Sequence, residues 1–287
     1  MSNLNIQLTF NQSQANGGDM WVDHHLNDAQ PPSFTNIKEI LKPYQSITLA
    51  EMDAVKLLNR VDYKYVMPIY TLQNTLAALS GEYRVLVVNG TPFNHYRTLY
   101  FDTPDFAFFN MHVNGQAERY KVRSREYLDS HLTYFEVKHR TRKDRTIKKR
   151  LPTQQALQCV TIAASEWLDQ VMPYENEELE PKIWNTFTRI TLVNVERCER
   201  LTIDLDIAFY NENRLSLLEG IAVAEIKMDD HDHFSPFKRL MRDQHIPYTG
   251  FSKYCMGTSL LYDRVKKNAL KQRTLLIKKI SKGANHV

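Results

Sequence analysis

Glycine and cysteine are scarce in this chain, with nine glycines and three cysteines in 287 residues. No glycine-rich loop of the kind that cradles a nucleotide is present, which excludes the common phosphate-loop folds. Cys159, Cys198 and Cys255 are odd in number, far apart and without metal-ligand spacing. That excludes a disulfide framework and points to a reducing, cytoplasmic compartment. No apolar run is long enough to span a bilayer. The opening Met1-Ser-Asn-Leu-Asn-Ile-Gln has no basic segment ahead of an apolar core, so no secretory leader is read there. A strong charge of one sign is missing too: the net charge is +4 and the pI about 8.8. That excess is too small to imply nucleic-acid binding. With 43% hydrophobic and 24% charged residues, the chain suits a soluble globular protein of one large or two ordinary domains.

What is present is a pattern of cations at every second residue. Lys121, Arg123 and Arg125 alternate through Tyr120–Tyr127, Lys138 and Arg140 follow Glu136, and Lys148 and Arg150 close the run from Arg145. Residues two apart on a strand share a face, so each stretch projects a row of positive charge. Two like charges at about 4 Å repel by roughly 1 kcal/mol in water and about 4 at an effective dielectric near 20. Gathering such rows on one concave face is tolerable if a polyanion fills the space. The alternative is a solvated outer face with well-spaced charges.

The first 33 residues are polar, end at Pro31-Pro32 and read as a mobile tail. Its Asp23-His24-His25 has no partner cluster for a metal. Residues 34–287 form the folded domain. Ser46 or Thr48 caps a first helix bearing Glu51. Arg60–Val66 alternates as a strand, with Arg60, Asp62 and Lys64 on one face. Tyr70–Leu79 reads as a helix, Tyr83–Val88 and His95–Asp102 as strands, Ala156–Val171 as a helix. Leu201–Tyr210 alternates, with Thr202, Asp204 and Asp206 on one face. Ile221–Met228 is a further strand carrying Glu225 and Lys227, and a long basic helix is predicted over 251–282. Strands interleaved with helices, with few turn glycines, predict an α+β fold. Its centre is an antiparallel barrel, polar inside and apolar outside, covered by helices.

Four further clusters bear charge: Arg60-x-Asp62-x-Lys64, Arg197 with Arg200, Glu225-x-Lys227, and Ser252-Lys253 at a helix start, where free N–H groups favour phosphate. Each alone reads equally as a surface ion pair or a cap. Jointly they put Lys or Arg, with an isolated carboxylate, on the polar face of nearly every strand.

Leu99-Tyr-Phe-Asp-Thr-Pro104, Arg119-Tyr-Lys-Val-Arg-Ser-Arg-Glu-Tyr127, Phe135-Glu-Val-Lys138, Arg197, Arg200-Leu-Thr-Ile-Asp204, Ala224-Glu-Ile-Lys227 and Phe251-Ser-Lys-Tyr254 resemble, in this order, the VTC domain. That is the polyphosphate polymerase branch of the triphosphate tunnel metalloenzymes. The resemblance runs from about Arg60 to Tyr262. It implies an eight-stranded antiparallel tunnel that binds a triphosphate and a divalent metal, Mn²⁺ or Mg²⁺, and makes polyphosphate from ATP. By position it implies phosphate-binding catalytic cations at Lys64, Arg123, Arg125, Lys138, Lys148, Arg197, Arg200 and Lys253. Arg60, Lys121, Arg150, Lys227 and Ser252 join them as substrate contacts, and Glu225 as the metal ligand. Arg145 and Lys149 offer other registers, but alternation selects Lys148 with Arg150. The first strand departs from the superfamily pattern of two glutamates and a lysine, because Arg60 and Asp62 hold the carboxylate positions.

An acceptor phosphate is already an anion and needs cations but no base, whereas water needs a base. A tunnel sparse in carboxylates therefore favours polymerisation over a metal-dependent triphosphatase. A non-catalytic polyphosphate-binding subunit is the third reading. ATP and polyphosphate are the expected partners, and nucleic acid is not. The segment Arg264–Lys282 holds Lys266, Lys267, Lys271, Arg273, Lys278, Lys279 and Lys282 without an acid. It either braces the fold, guides polyphosphate at the tunnel mouth, or rests on the inner face of the membrane beside a membrane-embedded export partner.

Overall fold

The computed structural model describes residues 32–55, 60–143, 145–172, 178–229 and 234–284. The expected tail lies outside these residues up to position 31, His24 and His25 with it, and Pro32 opens the first helix. In chain order come α1 (Pro32–Leu41), β1 (Ser46–Ile47), α2 (Leu49–Ala54), β2 (Arg60–Pro68), α3 (Ile69–Leu79), β3 (Arg84–Leu86) and β4 (Asn94–Asp102). There follow α4 (Ala107–Val113), β5 (Arg119–Tyr127), β6 (Leu132–Arg140), β7 (Thr146–Thr153), α5 (Ile162–Val171), β8 (Glu180–Asn194) and β9 (Glu199–Tyr210). β10 (Leu215–Leu217), β11 (Ile221–Asp229), α6 (Pro236–Asp243), α7 (Lys253–Leu261) and α8 (Lys271–Ala284) complete the chain.

Eight strands form one path in the order β2-β11-β9-β8-β4-β5-β6-β7, each antiparallel to the next. The expected strand number and direction are present, but the expected barrel is not closed. β2 and β7 end the path and do not pair. Arg150 stands exposed on the β7 edge. Pro152 and exposed lysines on β7 also blunt that edge. The sheet instead curls until its two ends face each other across a hollow.

Alternation divides the strands as the sequence predicts. On the convex side, Met67, Leu192, Leu201, Ile203, Ala224 and Ile226 pack under α1, α3 and α6. Leu99, Val122, Phe135 and Val137 pack under α4 and α5. Each such Met, Leu, Ile, Val or Phe side chain, fully buried, contributes about 1.5–3 kcal/mol. Thr48 caps α2 with a full capping box to Glu51. α5 begins later than predicted. Thr161 caps it, and upstream the Leu157 N–H donates to Ser124 Oγ at 2.9 Å, pulling that segment onto β5. The Asp102 of Tyr-Phe-Asp-Thr-Pro is a brace: its carboxylate accepts the Phe108 and Phe109 N–H groups of α4 at 2.8 Å and the Tyr254 hydroxyl of α7.

The basic helix expected over 251–282 is broken. Tyr262 is extended, its hydroxyl donates to the Lys182 carbonyl at 2.7 Å and its ring packs 4.8 Å from Phe106. These tertiary contacts outweigh helix continuity, and α8 starts afresh at Lys271. α7 is buried on nearly all sides and packs into one part of the hollow, against Val66, Ile183, Phe187, Phe209 and Val223. So the concave face is polar over only part of its length. Asp206 helps to make this patch: at φ 46° it adds a bulge, so that Phe209 joins Asp204 on the concave side despite its odd spacing. It also ends the predicted Thr202–Asp204–Asp206 face at Asp204.

Gly257 marks the tightest approach of α7. A Cβ there would stand 2.5 Å from Phe209 Cδ1 and 2.7 Å from Ile183 Cδ1. Gly257→Ala gains helix propensity of about 1 kcal/mol but overpacks the site by about 1–3 kcal/mol. The expected net result is a lower denaturation midpoint in urea with an unchanged m-value. A midpoint above wild type would show that α7 has room to move.

Candidate active site

β5, β6 and β7 bring their cations into register on the concave face. Lys121, Lys138 and Lys148 form one row across the three strands, and Arg123, Glu136 and Arg150 the next. Arg125 stands in the row beyond, opposite Tyr134 and Thr98, and donates to Thr98 Oγ1 at 3.1 Å. Glu136 is the hub. Its side chain is 1% exposed and lies 2.6 Å from Arg123, 2.5 Å from Lys148 and 3.4 Å from Arg150.

β2, β11, β9 and β8 form the facing wall. Glu225 is held between Lys64 at 2.8 Å and Lys227 at 2.9 Å. One row toward α7, Arg189 makes a two-pronged contact with Asp204 at 2.6 and 2.9 Å. Lys253, the first residue of α7, reaches the same carboxylate and lies 4.1 Å over the Phe187 ring. Ser252 caps α7, accepting from the Cys255 N–H at 3.3 Å. Arg200 shares a row with Lys227 and Asp62 and donates to the Met52 carbonyl at 3.0 Å.

The walls are near enough to sense each other. Lys138 is pushed down to about 7 by burial and then by Lys121, with Glu225 opposing from the facing wall and Arg123 and Lys64 adding to the push. Lys138 is nevertheless open to solvent. A side chain surrounded by protein yet wet is one that lines a hollow. Lys121 falls to about 8, through burial and the charges of Lys64, Arg123 and Arg119. Lys148 falls to about 7 through burial and Arg123. The carboxylates move the other way: burial alone would raise Glu136 and Asp204, but their cations hold both at about 2. Lys227 and Lys64 likewise hold Glu225 well below the usual carboxylate range.

Lys64, Lys121, Arg123, Arg125, Lys138, Lys148, Arg150, Lys227, Lys253 and Glu225 thus gather around one hollow. Arg197 stands in the exposed turn after β8, beyond the last paired row. Arg60 pairs with Asp229 through the backbone at the start of β2. Three residues were missed as site members. Glu136 shares the period-2 face of Lys138, so the same alternation could have found it. Asp204 was placed on a polar face without a role. Arg189 has no charged residue two positions away on β8, so it left no alternating motif.

For a divalent cation, Glu225 is a partly buried hard-oxygen donor, with Lys64 on one oxygen and Lys227 on the other. Among the described residues no three His, Cys, Asp or Glu side chains converge. This fits the mode in which Mg²⁺ takes one or two carboxylates and completes its shell with substrate phosphates and water.

The VTC domain model matches residues 59–262. No curated protein matches the chain. A candidate adenylate cyclase from Vibrio parahaemolyticus is 16% identical, the match covering 71% of this chain and 99% of that one with a TM-score of 0.41. A candidate adenylyl cyclase from Hippeastrum with a dominant triphosphatase activity is 13% identical, covering 71% and 98% with a TM-score of 0.45. A conserved hypothetical protein from Pyrococcus furiosus is 11% identical, covering 65% and 88% with a TM-score of 0.35. With most of its length inside the family match, the chain belongs to the VTC domain family.

Proposed function

We propose that the hollow is the active site of a polyphosphate polymerase, which transfers the γ-phosphoryl group of ATP to the end of a polyphosphate chain. One observation carries the choice of acceptor. Three carboxylates of the hollow, Glu136, Asp204 and Glu225, each touch two or more cations and are held ionised far below neutral pH, and the fourth, Asp62, stands at the exposed start of β2 in the row of Lys227 and Arg200. A general base works best with a pKa near the operating pH, so those three are poor at activating water. A terminal phosphate needs no such activation. Phosphoryl transfer relies on positioning and on neutralising charge over the transferred group. Arg123, Arg125, Lys138 and Lys148 would hold the chain from one wall, Lys64, Lys227 and Arg189 from the other, and Lys253 at the α7 end. A Mg²⁺ or Mn²⁺ on Glu225 would add charge neutralisation at phosphate oxygens.

The three cysteines are free, which supports a reducing, cytoplasmic setting. No helix among the described residues is long and apolar enough to cross a membrane. The exposed Lys271, Lys278 and Lys279 of α8 are the face we assign to an export partner.

Purified protein incubated with ATP and Mn²⁺ is expected to yield long-chain polyphosphate. Orthophosphate released from triphosphate would make it a hydrolase, and no product at all a binding module. Glu225→Gln is nearly isosteric and should reduce turnover by about a hundredfold or more, the scale of one lost preorganised charge. ATP binding should persist. Wild-type turnover in this variant would remove Glu225 from the metal role.

Anion-free protein should also become more stable as pH rises from about 7 to about 10. Lys138, Lys148 and Lys121 have folded pKa values below their unfolded ones. In that window the unfolded chain binds more protons than the folded one, so stability climbs with pH. Tripolyphosphate pairs with the ammonium groups and should flatten the slope. A melting temperature independent of pH over this range, without anion, would mean that the lysines are not crowded.

A further inference from the structure

The two ends of the cation ladder differ in chemistry. Past the Lys121–Lys138–Lys148 row, Arg119 stands opposite Arg140, and the turn beyond carries Arg142, Lys143 and Arg145. Past Arg123 in the other direction the concave face becomes aromatic. Tyr134 stands opposite Arg125, Tyr127 opposite Tyr96, and Tyr96 opposite Phe187. The four rings touch in sequence. Phe187 stacks on Tyr96 at 4.9 Å with the planes 6° apart, Tyr96 lies 5.1 Å from Tyr127, and Tyr127 meets Tyr134 edge-on at 6.0 Å. Guanidinium groups lie over the run: Arg125 5.7 Å from Tyr96, and Arg150 5.2 Å from Tyr134. Tyr127 and Tyr134 are half-buried and, among the described residues, belong to none of the hydrophobic cores. Packing therefore does not account for this pair of rings at the end of a phosphate-binding ladder.

We propose that the run is a nucleobase platform, on which the base of a nucleoside triphosphate stacks against Tyr127 and Tyr134 while its phosphates run inward past Arg125 and Arg123. The platform rests on the phosphate reading of the hollow. Every base has a π face and stacks on aromatic rings and on guanidinium planes without base-specific hydrogen bonds. Successive rows on one strand face are about 7 Å apart, so Tyr134 sits in the row of Arg125 and Tyr127 one step beyond it. Among the described residues the opposite end offers arginine and no exposed ring run, which suits a bare phosphate chain. Nucleotide would therefore enter at the tyrosine end and the inorganic chain lie toward Arg119 and Arg140.

The test compares dissociation constants for ATP and for inorganic tripolyphosphate, which carries no base. In the Tyr127→Ala, Tyr134→Ala double variant the ratio of Kd for ATP to Kd for tripolyphosphate should rise about tenfold, the scale of one lost stack. The corresponding Phe variants should keep the wild-type ratio. 2-Aminopurine riboside triphosphate should also be quenched on binding to wild-type protein, a measurement that needs no variant. Equal weakening of both ligands in the Ala variant, or bound analogue at full fluorescence, would make the tyrosines packing residues and leave the phosphate site standing. Binding of neither ATP nor tripolyphosphate to wild type would overturn the phosphate site and the platform with it.

Discussion

A buried carboxylate set among cations is the interaction on which the rest of this structure depends. Glu136 touches Arg123, Lys148 and Arg150 at once, and Glu225 and Asp204 repeat the arrangement on the facing wall. Removing one partner of a buried pair typically costs about 3–5 kcal/mol, because the remaining charge is stranded. These carboxylates are what let a sheet crowded with lysine and arginine curl without an anion inside it. They also keep the cations pointing inward, so an arriving polyanion meets groups already in place. Binding then exchanges one set of anionic partners for another, and the hollow need not be built around the ligand.

The curl stops short of a barrel and leaves β2 and β7 as the ends of the path. The open edge keeps the lysines of β7 wet, and α7 covers the hollow elsewhere with an apolar surface. Through Lys253 on Asp204 and Tyr254 on Asp102, α7 joins the polar ladder to the apolar plug. Gly257 lets that helix approach closely enough for both contacts. The plug, the capping of α4 and the end of the phosphate ladder are thus one connected unit.

Much of this was legible in the sequence because two-residue alternation is a direct projection of sheet geometry. Lys121, Arg123, Lys138, Lys148, Lys64, Lys227 and Glu225 all fall on the face that the spacing assigns, and the family match covers the strands that carry them. What was not legible depends on contacts distant in the chain. The break at Tyr262 comes from Lys182 and Phe106, roughly eighty residues away or more. The bulge at Asp206 reverses an alternation that looks unbroken in the letters. The cations, read as mutually repelling, turn out to share buried carboxylates. Arg189 becomes visible only when β8 pairs with β9 and sets it on Asp204.

Those shared carboxylates also bear on the chemistry. A carboxylate held at about 2 accepts a proton reluctantly at neutral pH, whereas the lysines around it sit at about 7 to 8 in the absence of an anion. The hollow therefore has titratable groups near neutrality, lysines that are partly neutral amines when no anion is present. An approaching phosphate chain raises their proton affinity, so each lysine arrives at full charge when the substrate does. A site of this kind stabilises charge that is already present and supplies little to water as a nucleophile. For a hydrolase such a lining would be a handicap. For transfer between two phosphate anions it provides what the reaction lacks in water, a fixed positive frame that holds like charges in line.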